Sequence, residues 1–319
     1  MTGTPRFAAI DVGTNTVLLL VAERRGDAFV PVVERAEITR LGRGVDGAGR
    51  LRPDAIRETV DVLARFAAEA RSLGAEQIAC VATSAARDAG NGSEFFEATR
   101  AAAGLVPEVI AGDEEARLVW ASAWRDFGTR GPSPLPAGRS GLAVLDVGGG
   151  STEICVGSGP TPRARASLQV GAVRLTERVR PPDPPGPAGL ALLRHHAAAA
   201  LRPAATLVAG APPAHLVAVA GTVTTLAAVE RALPRYDAEV VHGAELSLPA
   251  LEALYVRLGA LDSPRRERLP GMEPKRADVI VSGCAIVLEA MRLLRVDRLT
   301  VSDRGVRWGL VYDRFGGGA

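Results

Sequence analysis

The chain has 319 residues, 47% of them apolar, and a formal net charge of +2. That length is enough for two ordinary domains, and near-neutral charge argues against a protein that holds nucleic acid through bulk electrostatics. No apolar run is long and uncharged enough to span a bilayer, and the start MTGTPRFAAIDVG lacks the pattern of a secretory leader, so a soluble, cytoplasmic protein without a membrane partner is expected.

The first legible element in chain order is an apolar strand that enters a glycine turn and returns, FAAIDVGTNTVLLLV (7–21). Asp11 stands at the end of the outgoing strand, and Gly13, Thr14, Asn15 and Thr16 make the turn. A helix is predicted over 53–74: Pro53 suits its first position, Ile56, Val60, Leu63, Ala67 and Ala70 share one face, and Gly74 ends it. The strand QIACVAT (77–83) follows, and Arg87 comes just after it in ATSAARDAGN (82–91). A second helix is predicted over 112–128, where three opening acids complement the positive helix end. The Gly-, Pro- and Ser-rich stretch 128–141 reads as a linker. It divides the chain into domains 1–128 and 129–304, with a C-terminal helix at 305–319 expected to pack back on the first.

The second half opens as the first does. LDVGGGS (145–151) repeats the spelling of IDVGTNT (10–16), with apolar strands on either side of both. This indicates an internal duplication: two α/β domains facing each other across a cleft. A strand, a tight turn and a returning strand let backbone N–H groups converge on an anion. The turn is not a Walker A loop, since no GK[ST] follows, and not a dinucleotide fingerprint, since no helix opens after the glycines. A proline-rich stretch, RPPDPPGPAG (180–189), is expected as a surface loop, and AGTVTT (220–225), which follows the strand HLVAVA and begins a helix, is a third turn that could touch phosphate beside Gly13–Thr16 and Gly148–Thr152. Cys80, Cys155 and Cys284 lie far apart with no CxxC and are expected as buried small hydrophobes.

Any one glycine loop, taken singly, reads more readily as a tight turn of small residues. Two matched loops with an aspartate in the same place read as phosphate-binding, and carboxylates beside such loops call for a divalent cation. Asp11 and Asp146 stand at the two strand ends, and Glu153 lies on the second returning strand, where it can face the same space as Asp146. Glu114 and Glu115 begin the helix before the linker; position leaves open whether they complement the helix end or serve as a base. Arg87 could balance the charge of a transferring phosphoryl group. His195, His196 and His242 receive no role.

The order of blocks resembles the exopolyphosphatase / guanosine pentaphosphate phosphohydrolase (Ppx/GppA) family, part of the superfamily that also holds actin and the sugar kinases. The matching blocks are AAIDVGTNTVLLLV, ITRLGRGVD (38–46), ATSAARDAGN, VIAGDEEARLVWAS (109–122), VLDVGGGSTEI, SLQVGAVRLTE (167–177), VAGTVTTLAAV (219–229), PKRADVIVSG (274–283) and VSDRGVRWGLV (301–311). The resemblance implies an α/β fold of two duplicated actin-like (ribonuclease H-like) domains with an interdomain active-site cleft. It implies removal of the terminal phosphate of inorganic polyphosphate, or of the 5′ γ-phosphate of pppGpp, by a homodimer that uses Mg²⁺, with Mn²⁺ as a substitute. By resemblance, Glu115 rather than Glu114 is the base that activates water, and Arg87 is its catalytic companion. Asp146 and Glu153 match the metal positions, with Asp11 joining them directly or through water. Asp11, Gly13, Thr14, Asn15 and Thr16, and then Gly148, Gly149, Gly150, Ser151 and Thr152, match the phosphate-contacting loops. Ala111 and Trp308 depart from the residues common in relatives. Longer relatives append helical domains, so a preference for short polyphosphate is expected. The rival readings are a pppGpp 5′-phosphohydrolase, a kinase or ATPase of the same superfamily, and a non-catalytic polyphosphate or nucleotide sensor.

Overall fold

A computed structural model describes residues 4–128, 141–208 and 212–316. Its frame is two mixed sheets flanked by helices. In the first, β1 (Arg6–Val12), β2 (Thr16–Arg25), β3 (Ala28–Ile38), β4 (Ala75–Ala82) and β5 (Glu108–Val109) lie in the order β3-β2-β1-β4-β5. In the second, β6 (Leu142–Val147), β7 (Thr152–Gly157), β8 (Ala164–Leu168), β9 (His215–Val219), β10 (Glu245–Ser247) and β11 (Arg298–Val301) lie in the order β10-β11-β9-β6-β7-β8. β1–β2–β3 form an antiparallel meander, with β4 parallel to β1 and β5 parallel to β4. β6–β7–β8 repeat that meander, with β9 parallel to β6 and β11 parallel to β9. The duplication expected from two matching turns therefore extends to whole sheets, and the second adds β10 antiparallel at its edge.

The sequence explains why β1 and β6 sit centrally. FAAIDV and LAVLDV are continuous apolar runs ending in one acid, suited to strands buried on both faces. The edge strand β3 instead carries charge: Arg35 pairs with Glu69 at 2.8 Å and Glu37 with Arg65 at 2.6 Å, both partners on the helix Pro53–Ser72. Such exposed pairs are worth up to about 1 kcal/mol each, and their main effect is to blunt the edge against pairing with another chain. Pro53 opens that helix and it stops at Ser72, with Leu73 as cap and Gly74 at φ 77°. The strand expected at 77–83 begins two residues earlier, at Ala75, and the second expected helix runs Gly112–Phe127. The proline stretch 180–189 is only partly loop, because a helix already starts at Gly186 and runs to Leu201. Pro187 falls in its first turn, where the missing N–H costs nothing.

Contacts divide the chain into two units, Met1–Leu118 with Val306–Ala319, and Val119–Gly305. One boundary falls inside the helix Gly112–Phe127. The stretch expected as a linker lies, at 129–140, outside the described residues. Each unit has its own core. The first packs Ile10, Leu19 and Val21 against Ile56, Leu63, Phe66 and Phe95. In the second, the helix Ile280–Leu294 is apolar nearly all round and buried accordingly. The helix Val306–Phe315 packs on β1, with Phe315 stacked on Phe7 at 4.6 Å between ring centroids. All three cysteines are buried, as expected. Among the described residues, no helix is long and apolar enough to cross a membrane.

Candidate active site

In the first unit β1 delivers Asp11, Gly13 N–H donates to Thr16 O at 3.0 Å to close the turn, and β2 returns. Thr14 and Asn15 are buried, and their own amides donate to no group among the described residues. Their carbonyls are occupied from behind: Thr39 N–H and Arg40 N–H donate to Asn15 O at 3.1 and 3.0 Å, and Gly42 N–H to Thr14 O at 2.8 Å. The turn thus keeps its carbonyls satisfied and its amides unspent, the arrangement that an anion nest requires. The Asp11 Oδ1 and Asn15 Nδ2 atoms are buried without a hydrogen-bond partner among the described residues. Burial pushes the Asp11 carboxyl up to about 7, while the positive charge of Arg307 works against that rise. Arg307 is itself held on β3, where Glu34 Oε2 accepts from its Nε at 3.1 Å and its Nη2 at 2.5 Å. The same carboxylate accepts from Trp308 Nε1 at 3.3 Å, which explains how a fully buried tryptophan can stand at this position.

Arg87 lies on the short helix Ser84–Asp88 that follows β4. Its Nη1 donates to Ile110 O at 2.8 Å and stands 3.5 Å from Glu115 Oε2, while its Nη2 is buried with no hydrogen-bond partner among the described residues. The two adjacent acids at the start of Gly112–Phe127 part company here. Glu114 is engaged by Arg117, at 2.7 and 2.6 Å, and Arg117 also reaches Asp313. Glu115, 7% exposed, turns inward to Arg87. Helix position alone could not separate them; their ion pairs do.

In the second unit Asp146 and Glu153 are direct cross-strand partners on β6 and β7. Partners of this kind lie on one face of the sheet with Cβ atoms about 5 Å apart, and like charges so placed repel. Both are deeply buried, Glu153 at 1% exposure, and Ser167 Oγ donates to Glu153 Oε1 at 2.7 Å. Between them Gly148 N–H donates to Ser151 O at 3.1 Å, and the amides of Gly149, Gly150 and Ser151 donate to no group among the described residues. Thr152 is fixed by its hydroxyl, which donates to Val170 O at 2.6 Å. Two hard carboxylates beside an anion nest suit Mg²⁺ or Mn²⁺, which needs only one or two protein carboxylates when substrate oxygens and waters complete its shell. Among the described residues no group of three His, Cys, Asp or Glu side chains is placed to hold a metal ion.

The third turn behaves differently from the two hairpins. Ala220 opens the helix Ala220–Glu230 at φ 73°, and Thr222 Oγ1 donates back to Val147 O at 2.9 Å, tying this turn to the end of β6. The guanidinium of Arg276 packs directly over Gly221. Arg174, Arg276 and Arg307 lie in the blocks SLQVGAVRLTE, PKRADVIVSG and VSDRGVRWGLV, but an arginine in a chain that has 38 basic residues carries no signal until a neighbour is known.

A family model, the Ppx/GppA phosphatase family, matches residues 20–316. The chain belongs to that family. Among its relatives, exopolyphosphatase 2 of Mycobacterium tuberculosis is 37% identical, over 96% of this chain and 97% of the relative. Exopolyphosphatase 1 of Mycobacterium leprae is 32% identical over 96% and 88%. A crystal structure of the Aquifex aeolicus Ppx/GppA family member is 32% identical with a TM-score of 0.79, covering 97% of each chain. An exopolyphosphatase from Cytophaga hutchinsonii, at 24% identity and TM-score 0.88 over 98% and 99%, shares the fold. The α/β architecture of two duplicated domains is thus that of the Ppx/GppA proteins, and this chain is a phosphatase of their kind.

Proposed function

We propose that this phosphatase is an exopolyphosphatase, which hydrolyses the terminal phosphoanhydride of inorganic polyphosphate, short chains by preference, with Mg²⁺ as cofactor and Mn²⁺ as a substitute. The observation that carries the reading is the Asp146–Glu153 pair: buried carboxylates directly opposite one another, flanking a turn with three uncommitted amides. The repulsion between them is relieved by a hard cation that also binds phosphate oxygens. The relatives named exopolyphosphatase support the substrate class.

Asp146 and Glu153 would hold the cation, which when bound neutralises charge on the phosphate oxygens. The remaining work belongs to the chain's own groups. The amides of Gly149–Ser151 in the second unit, and by themselves those of Thr14–Asn15 in the first, are suited to receive non-bridging phosphate oxygens. Glu115 accepts a proton from the attacking water. The water oxygen bonds to the terminal phosphorus as the bridging P–O bond breaks, giving orthophosphate and a chain shorter by one unit. Arg87, 3.5 Å from Glu115, orients that carboxylate and balances charge on the transferring group. No covalent intermediate is needed, since positioning and charge stabilisation carry most of phosphoryl transfer.

Phosphate release from short polyphosphate, long polyphosphate, pppGpp and ATP, with and without Mg²⁺, tests the reading. Mg²⁺-dependent release, fastest from short polyphosphate, is expected. Faster release from pppGpp would make the chain a pppGpp 5′-phosphohydrolase, and binding without release would make it a sensor. Transfer only to an added acceptor would make it a kinase, and equal turnover of long and short polyphosphate would remove the length preference.

A further inference from the structure

An anion nest works only while its carbonyls face away from the anion. In the second unit the segment after β8, which begins the helix Ala172–Val179, supplies that restraint. Ala172 N–H donates to Gly148 O at 2.9 Å, and Val173 N–H and Arg174 N–H donate to Gly149 O at 2.9 and 3.1 Å. These bonds come from main chain, which any residue provides. The third carbonyl, Gly150 O, is held by a side chain: Arg174 Nε donates to it at 2.7 Å. Contact here is close enough that a Cβ on Gly171 would fall 2.5 Å from the Gly149 carbonyl carbon and oxygen.

The Gly150 carbonyl and the Ser151 amide belong to one rigid peptide plane and rotate together. Glycine sets little steric barrier to that rotation. A flip would present the Gly150 oxygen to the phosphate and withdraw the Ser151 donor, exchanging attraction for repulsion. We propose that Arg174 is a positioning residue for phosphate binding, whose Nε–H on the Gly150 carbonyl fixes the Gly150–Ser151 peptide plane with the Ser151 amide turned outward. This rests on the reading of Gly148–Thr152 as a phosphate cradle.

The test compares Arg174→Met, which keeps the bulk and removes the donor, with Arg174→Gln, whose Nε2 stands the same number of bonds from the backbone as Nε. The readouts are tripolyphosphate affinity by calorimetry, KM and kcat for short polyphosphate, and amide exchange of a peptide containing residues 148–152. Arg174→Met is expected to raise the tripolyphosphate Kd and the KM about tenfold, near the low end for a lost charged hydrogen bond. Its kcat changes less than its KM and its loop exchanges faster, while Arg174→Gln stays within about threefold of wild type because a neutral bond is retained. Wild-type affinity and exchange in Arg174→Met would overturn the proposal, as would a Gln variant as impaired as Met. Should the Met variant not fold, Arg174→Lys keeps the charge and moves the donor by one atom; wild-type Kd in that variant overturns the proposal equally. If wild type binds tripolyphosphate yet releases no phosphate, the hydrolase reading fails and the Kd series still decides the role of Arg174. If wild type binds no polyphosphate, the cradle reading fails, and unchanged exchange in Arg174→Met overturns the restraint itself.

Discussion

The two hairpins share strand order, register and a clamp from the segment after their third strand, yet they differ in where they carry charge. In the second, Asp146 faces Glu153; in the first, the same step of the ladder puts Asp11 opposite Leu18. The clamps differ too. Gly42 approaches a side chain, its missing Cβ lying 2.3 Å from the Thr14 methyl, whereas Gly171 approaches the loop backbone itself. One duplicated scaffold has thus been specialised: the second hairpin concentrates carboxylate charge, and the first keeps one buried aspartate and places Arg87 and Glu115 in the same unit.

The largest expected effect tests whether the first unit supplies the base. Glu115→Gln should fold normally and lose at least roughly a hundredfold in kcat, the low end for a general base, while Glu114→Gln next door should stay within about twofold, since it breaks only a half-exposed ion pair. Near-normal phosphate release by Glu115→Gln would break the division of labour. Next comes the carboxylate pair. Glu153→Gln should raise the Mg²⁺ concentration needed for half-maximal activity by at least the roughly tenfold that even an outer partner is worth to a metal site, and Leu18→Ala should leave that concentration unchanged. The clamps rank third. Gly171→Ala should destabilise by about 1–3 kcal/mol through overpacking and lower kcat/KM, with Gly42→Ala milder in both because a methyl can give way where a peptide cannot; denaturant titration beside kinetics would show the order.

The smallest effect concerns Asp11. Its folded-state value near 7 lies above the ordinary carboxylate range, so the folded protein holds this proton more tightly than the unfolded chain does. Stability is therefore gained as pH falls through about 7 toward about 4, and an ionised Asp11 costs stability above that window. In metal-free buffer Asp11→Asn should melt higher than wild type at pH 8, the gap closing on acidification. An unchanged gap across that range would show that Asp11 is not strained by burial.

Much of this arrangement was legible because it is local. The repeated Asp-Val-Gly spelling exposed the duplication, and apolar spacing with Pro53 and Gly74 as punctuation marked a helix to within two residues of its end. What stayed hidden depends on partners distant in sequence. The donors to the Thr14 and Asn15 carbonyls come from 39–42, and those to the glycine turn from 172–174. The separate fates of Glu114 and Glu115 follow from Arg117 and Arg87, which helix position does not reveal. The proline stretch misled because Pro187 can open a helix as readily as it can end one.

The return of Val306–Phe315 to the first unit has a consequence for biosynthesis. Phe7 stacks on Phe315, and the backbone of Leu118 lies against Gly309 so closely that no side chain would fit there. The strand translated first therefore lacks part of its packing until the ribosome has reached the far side of the message, whereas Val119–Gly305 can condense beforehand. The unit begun earliest is completed last, and in the interval its half-built sheet is the part of the nascent chain with most reason to engage a chaperone.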